Sequence, residues 1–170
     1  TADQKVWKNT APKYYGGFDN TIKIDNFEIS TLLTFQTGFY VYNGTRASIL
    51  DQRFWNNSVQ VLRRWQKPGD VTDIPKVIYA DNVSNGSAQP ISENAQKGDF
   101  LKLRNMTIAY YMPNNLVSKA GLSSMRFYIS GQNLGMMTKY QGPDPEVSSN
   151  GNGNTNQGVD RNTVGNALSV

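Results

Sequence analysis

Residues Phe100–Tyr140 read "FLKLRNMTIAYYMPNNLVSKAGLSSMRFYISGQNLGMMTKY". Leu101 and Leu103 share one parity, whereas Met106, Ile108, Tyr110 and Met112 share the other. The switch falls at Arg104-Asn105, where a β-bulge would insert one residue and return all six to a single apolar face. Pro113-Asn114-Asn115 ends this strand, and Lys119-Ala120-Gly121 closes a short connector. Phe127 and Ile129 then resume the alternation against Arg126, Tyr128 and Ser130, the period of two that marks a half-buried strand. Neither strand buries much alone, so the pair raises the question of what covers its apolar side.

Working outward, Phe18, Asn20, Ile22 and Ile24 alternate with Asp19, Thr21 and Lys23, and Asp25-Asn26 supplies turn chemistry. Phe27, Ile29, Leu33, Phe35, Phe39 and Val41 then share one face, interrupted by Thr31 and Thr37. Glu28, Ser30, Thr34, Gln36 and Gly38 take the other, with Leu32 and Tyr40 as exceptions. The pattern predicts strands at about 15–24, 27–41, 100–112 and 126–134. The second is too long for an ordinary soluble strand but suits one that crosses a bilayer at a tilt, for which about 9–11 residues suffice. From Tyr42 to Gly98 no periodicity persists, apart from a short helix predicted within Asp51–Trp65, where Val61, Leu62 and Trp65 sit at helical spacing. A connection this long argues against a small sandwich, whereas transmembrane barrels pair short turns on one side with long loops on the other. The fold class expected is all-β, part of a large antiparallel transmembrane β-barrel whose apolar face meets lipid.

Composition narrows the function. Charged residues are 18% of the 170, against nine Tyr and seven Phe, and the net charge of +4 is scattered, so no basic stripe resembles a nucleic-acid footprint. Cysteine and histidine are absent, which removes disulfides, thiolate chemistry and the commonest general base and metal ligand. No run of about 18 apolar residues could span a membrane as a helix. The mean hydropathy of −0.55 says nothing against a barrel, whose membrane signal lies in alternation. The N-terminus has neither the basic region nor the apolar core of a signal peptide. Asp70 with Asp73, or Asp144 with Glu146, could be cast as paired carboxylates for glycosidic hydrolysis, but they lie in Pro/Gly-rich loops where such residues make turns. No nucleophile motif or phosphate loop is present. The reading is of a protein that is not an enzyme and needs no metal or cofactor.

At Lys97–Val147, "KGDFLKLRNMTIAYYMPNNLVSKAGLSSMRFYISGQNLGMMTKYQGPDPEV", the sequence resembles the carboxy-terminal barrel region of SusC/RagA-type TonB-dependent outer-membrane transporters. "PKYYGGFDNTI" at Pro12–Ile22 and "RWQKPGDVTDIPK" at Arg64–Lys76 resemble blocks of the same family in the same order. The resemblance implies a plugged barrel of about 22 strands in the outer membrane of a Gram-negative bacterium. It also implies energy from a TonB–ExbB–ExbD complex, a SusD-like surface lipoprotein as lid, and oligosaccharide or peptide as cargo. On this reading the turns at 25–26 and 113–124 are periplasmic and the loops at 43–97 and 139–170 extracellular. The family's plug domain and its closing, aromatic-terminated strand have no counterpart in these residues, so 1–170 is expected to be one portion of a longer barrel protein.

Trp55 and Trp65, both in the long loop, are the candidate contacts for cargo or lid, since aromatic faces stack on sugars and anchor interfaces. Tyr110, Tyr111 and Tyr140, near strand ends, are candidate membrane-interface aromatics. The competing reading is a soluble β-sandwich that binds carbohydrate through Trp55 and Trp65. It would need about seven short strands with a turn every 8–12 residues, where the pattern gives four long ones.

Overall fold

The computed structural model describes residues 8–52, 56–78, 80 and 92–146, with the backbone pairing of 159–160 and 167–169. Trp55 and most of the stretch beyond 146 lie outside the described residues. The chain divides into two compact units, one formed by 12–39, 98–139 and 164–170, the other by 1–11, 40–97 and 140–163.

The first unit is a single antiparallel sheet. Its strands are β1 (Tyr14–Ile24), β2 (Phe27–Thr37), β5 (Phe100–Tyr111), β6 (Arg126–Thr138) and the short β8 (Ala167–Ser169), in the order β1-β2-β5-β6-β8. The β1–β2 hairpin turns on Asp25-Asn26 with Ile24 opposite Phe27, and Asp25 adopts φ 50°, a left-handed conformation that Asp tolerates better than most residues. Between β5 and β6 the chain makes a helical turn, α2 (Asn114–Val117), continued by a 3₁₀ turn at Ser118–Ala120. Gly121, at φ 73°, ends it, as a left-handed glycine commonly does.

Register fixes which side chains share a face. Phe27, Ile29, Thr31, Leu33 and Phe35 lie opposite Tyr110, Ile108, Met106, Leu103 and Leu101 of β5, and opposite Ile24, Ile22, Asn20, Phe18 and Gly16 of β1. Phe127, Ile129 and Met137 of β6 extend the same rows. The parity switch in β5 is resolved as expected: Leu33 pairs with Leu103 but Leu32 with Asn105, so Arg104 is the bulged residue against β2. The ladder to β6 shifts at the same height, with Asn133 at φ 51°. Arg104 and Asn105 thus fall on the polar side, and the apolar rows continue unbroken past them.

Two expectations are corrected. The strand predicted over 27–41 ends at Thr37, because Gly38 has φ 81°. That left-handed step stops the ladder, and the amide of Gly38 donates instead to Asp99 Oδ1 at 2.7 Å. The alternation beyond it belongs to a different element, β3 (Tyr40–Asn43), in the second unit. Residues 167–169, expected within the outer loop, pair with Gln132, Gly131 and Ser130 of β6 and add a fifth strand.

The second unit contains a three-stranded sheet in the order β4-β3-β7, with β4 at Ala95–Lys97 and β7 at Val159–Asp160. Its helices also differ from expectation. The α-helix is α1 (Gly44–Ile49), and among the described residues of the predicted Asp51–Trp65 helix a 3₁₀ turn forms instead, at Val59–Arg63. Asn43 caps α1, its Oδ1 accepting from the Arg46 amide at 2.7 Å, and its side chain is fully buried. Asn43→Ala is expected to lower stability by about 1 kcal/mol through loss of the cap, whereas Asn43→Asp should retain it; denaturant unfolding of both variants checks this.

Candidate functional site: a two-faced wall and a rigid loop

The two faces of the long sheet have opposite chemistry. On one, Tyr14, Phe18, Ile22, Ile24, Phe27, Phe35, Leu101, Ile108, Phe127, Ile129 and Met137 are all between 38% and 73% exposed. They follow each other in register across four strands. A contiguous apolar surface of this extent is foreign to a monomer in water. The ring of Phe35 lies over Gly16, where an added Cβ would come within 3.0 Å of it. At the turn end, Phe27, Tyr110 and Phe127 form one aromatic row, with the Phe27 and Tyr110 centroids 4.8 Å apart.

The opposite face carries Asp19, Thr21, Lys23, Glu28, Ser30, Thr34, Gln36, Lys102, Asn105, Thr107, Arg126 and Gln132. Its polar groups are paired along the sheet. Thr21 and Ser30 hydroxyls are 3.1 Å apart, and the bulged Arg104 donates from Nε to Thr34 Oγ1 at 3.1 Å. At the turn end Glu28 gathers Lys23 at 3.0 Å, Arg126 at 3.6 Å and the Tyr111 hydroxyl at 3.2 Å. Arg126 also stacks on the rings of Tyr111 and Tyr128, at 5.4 and 5.2 Å. The four long strands of this wall are 11–13 residues each, enough to cross a bilayer's hydrocarbon at a tilt.

The predicted aromatics therefore divide. Tyr110 stands in the aromatic row of the apolar face, while Tyr111, one residue on, points to the polar face and bonds Glu28. Tyr140 is buried in the second unit. Trp65 is half-buried in the loop that joins the 3₁₀ turn to Ile74, and the Lys76 ammonium lies 5.6 Å from its ring centre.

That loop is held by its own hydrogen bonds. The Trp65 amide donates to the Ile74 carbonyl at 2.9 Å, and the Thr72 hydroxyl to the Arg63 carbonyl at 2.7 Å. Asp70 Oδ2 accepts from the amides of Gln66 and Lys67, at 3.0 Å each, closing a turn through Pro68-Gly69 with Gly69 at φ 97°. Asp73 accepts from Arg63 at 3.0 Å and from Arg46 at 3.4 Å, and Arg46 also reaches Asn94 at 2.7 Å. Asp144 Oδ1 accepts from the Glu146 amide at 3.0 Å. Asp70, Asp73 and Asp144 are thus engaged in turns and ion pairs. Sequence reasoning placed Asp70 and Asp73 in turn chemistry but missed Thr72 as a fastener of this loop, because the spacing around it carries no periodic signal.

A ribbon of long antiparallel strands, greasy on one side and polar on the other, is a section of a large antiparallel transmembrane β-barrel. By sequence the chain is similar to TonB-dependent receptor P3 of Formosa agariphila, 29% identical over 94% of this chain. It is likewise similar to TonB-dependent receptor P26 of that organism, 27% identical over 100% of this chain. No family model matches it. By structure it is similar to the RagAB peptide transporter, with a TM-score of 0.71, 24% identity and 85% of this chain covered. The RagAB peptide importer in its closed-closed state gives a TM-score of 0.68 over 90% of this chain. The resemblance to SusC/RagA-type TonB-dependent transporters is thereby borne out. The chain spans about 16–17% of the length of the relatives and solved chains it matches.

Proposed function

We propose that this chain is a portion of the barrel of an outer-membrane TonB-dependent importer in a Gram-negative bacterium. The observation that carries the reading is the division of the sheet into an exposed apolar face and a hydrogen-bonded polar face, in register over four strands. In a barrel the first is solvated by acyl chains and the second lines the lumen. The aromatic row Phe27, Tyr110 and Phe127 then belongs to the interfacial girdle at the periplasmic side, and the turns at 25–26 and 113–124 are periplasmic. The segments 43–97 and 139–166 supply extracellular loops. Cargo is an oligosaccharide or peptide; the peptide importer among its structural relatives supports the second. A SusD-like surface lipoprotein covers the outer mouth, and a TonB–ExbB–ExbD complex supplies energy through parts of the protein outside these residues. The contribution of this portion is wall and loop, with no bond made or broken.

Single cysteines introduced at positions of this chain, which has none of its own, test the two faces in the complete barrel in lipid vesicles once any cysteine elsewhere in it is replaced by serine. Spin labels at Ile108→Cys and Ile129→Cys are expected to collide with oxygen dissolved in the bilayer. Labels at Thr107→Cys and Ser130→Cys, one residue away in each strand, should collide instead with a water-soluble nickel chelate. Equal aqueous accessibility at all four would refute a lipid-facing side.

A further inference from the structure

The apolar rows of the wall do not by themselves determine how β5 and β6 pair. Side chains alternate with a period of two, so a strand shifted by two residues returns every side chain to its own face. Suppose the turn end of β6 slides until Arg126 lies opposite Pro113. Tyr110 would then meet Ile129 and Met112 would meet Phe127, apolar on apolar as before. The irregularity in the ladder does not forbid the slide. Arg104 of β5 now faces Asn133 and Leu134 of β6, one extra residue on β6. After the slide Arg104, Asn105 and Met106 would face the same two residues, one extra residue on β5, which is again an ordinary bulge. Nor does the connector forbid it. The turn Asp25-Asn26 sets the register of β1 and β2, whereas the connector 113–124 is too long to dictate the pairing of β5 and β6.

The polar face supplies what the apolar face lacks. Glu28 on β2 and Arg126 on β6 have β5 between them, a gap of roughly 10 Å at two strand spacings. Arg126 Nη2 nevertheless lies 3.6 Å from Glu28 Oε1. The path crosses Ala109, which stands between Glu28 and Tyr128 in register and is 1% exposed. A lone methyl group there leaves room for two long side chains to meet above it; Thr107 and Tyr111, its neighbours of the same parity, are both larger. The guanidinium is held by the ring of Tyr111 opposite and by that of Tyr128 two residues along its own strand. The Tyr111 hydroxyl donates to the same carboxylate, so β2, β5 and β6 converge on Glu28, whose side chain is 13% exposed. Lys23 joins from β1, within the hairpin whose register is already set. The slide would carry Arg126 two residues, roughly 7 Å, away from Glu28 along the strand and leave Tyr128 opposite Tyr111.

We propose that Glu28, Tyr111, Arg126 and Tyr128, closed over Ala109, form a register lock that excludes this two-residue slide. They are positioning residues. In a closed barrel the stagger of the strands is linked to their tilt and to the barrel's size, so the lock holds this part of the wall to one geometry. That consequence rests on the reading of the chain as barrel wall, whereas the lock itself rests on the pairing alone.

The test traps the register by disulfide formation in the complete barrel in lipid vesicles, with any cysteine elsewhere in it replaced by serine. Thr107→Cys with Ser130→Cys reports the native pairing, and Thr107→Cys with Gln132→Cys reports the slide. After copper-catalysed oxidation, mass spectrometry of the linked peptides gives the ratio of the two yields. With the lock intact the native link is expected to exceed the other at least tenfold. Ala109→Leu fills the gap without altering any charge, and Arg126→Met removes the guanidinium. Each is expected to raise the slid share at least fivefold, while Ala109→Gly keeps the original ratio. Heat-modifiable gel migration shows which variants fold; if Ala109→Leu does not, Arg126→Met carries the reading by itself. An unchanged ratio in the folded variants would overturn the lock. So would an equal fall in both links, since that reports lost stability rather than lost register. The links report pairing within the sheet whatever covers its faces, so the lock can fail while the lipid-facing reading stands, and the reverse.

Discussion

Leu33→Arg is expected to destabilise the barrel by about 2–4 kcal/mol, the cost of a guanidinium at the bilayer midplane on a lipid-facing strand position. Leu33 lies near the middle of β2 (Phe27–Thr37) and is flanked in register by Phe18 on one side and Leu103 on the other. Three strands therefore present apolar groups at that height, leaving the arginine no polar neighbour on its own face. The long side chain can snorkel, but from mid-strand it must travel half the hydrocarbon thickness. Phe127→Arg, in the aromatic row at the turn end, should cost no more than about 1 kcal/mol because it sits at the interface. Phe35→Arg, two residues from the outer end of β2, should fall between them. Reversible denaturant unfolding of the complete barrel in lipid vesicles gives all three values. A flat profile, or a Leu33→Arg penalty below about 0.5 kcal/mol, would mean that this face is not solvated by acyl chains.

The wall was legible because a period of two leaves a mark on every residue it governs. Phe27 to Phe35, and Met106 to Tyr110, alternate where the register places them on one side. Even the bulge could be read, since an extra residue must reverse the parity on either side of Arg104. Gly38 was not legible. Phe39 and Val41 keep the parity of Phe35, so nothing in the pattern separates them, yet Val41 is fully buried in the other unit. One glycine read as a small polar-face residue was in fact the point where the strand stops. The loop shows a similar failure at finer scale. Val61 and Leu62 suggested one helical face, but a 3₁₀ turn of five residues turns Val61 inward and Leu62 out. Helix α1, six residues long, is too short to show a period, and its signal was the cap residue Asn43. Residues whose placement depends on side-chain hydrogen bonds, such as Asp70 and Thr72, leave no periodic trace. That is why Trp65 could be assigned to a loop but not to its place beside Lys76.

Gly38 itself gives the second large effect. Gly38→Val is expected to cost about 2–4 kcal/mol, from two separable causes. At φ 81° a β-branched residue is strained by roughly 1–3 kcal/mol. In addition, a Cβ at this position would stand 2.9 Å from Lys13 Cβ and 3.1 Å from its Cγ, an overlap with the root of the Lys13 side chain that rotation of its far end cannot relieve. Lys13 is itself fixed there by the hydrogen bond that its backbone amide donates to the Thr37 carbonyl at 2.9 Å. Gly121 supplies the internal control. It has nearly the same backbone, φ 73°, but nothing lies within 4 Å of an added Cβ, so Gly121→Val carries the conformational strain alone. The difference between the two variants isolates the contact with Lys13, and Gly38→Asn should recover part of the loss because Asn accepts the left-handed region. Asp99→Ala attacks the same junction from the other side, leaving the Gly38 amide without its 2.7 Å acceptor at about 1–3 kcal/mol if no water replaces it. Since Gly38→Val displaces that amide as well, the double variant should cost less than the sum of the two. Full additivity would show that the left-handed glycine and the Asp99 carboxylate do not act as one device, and that something else ends β2 at Thr37.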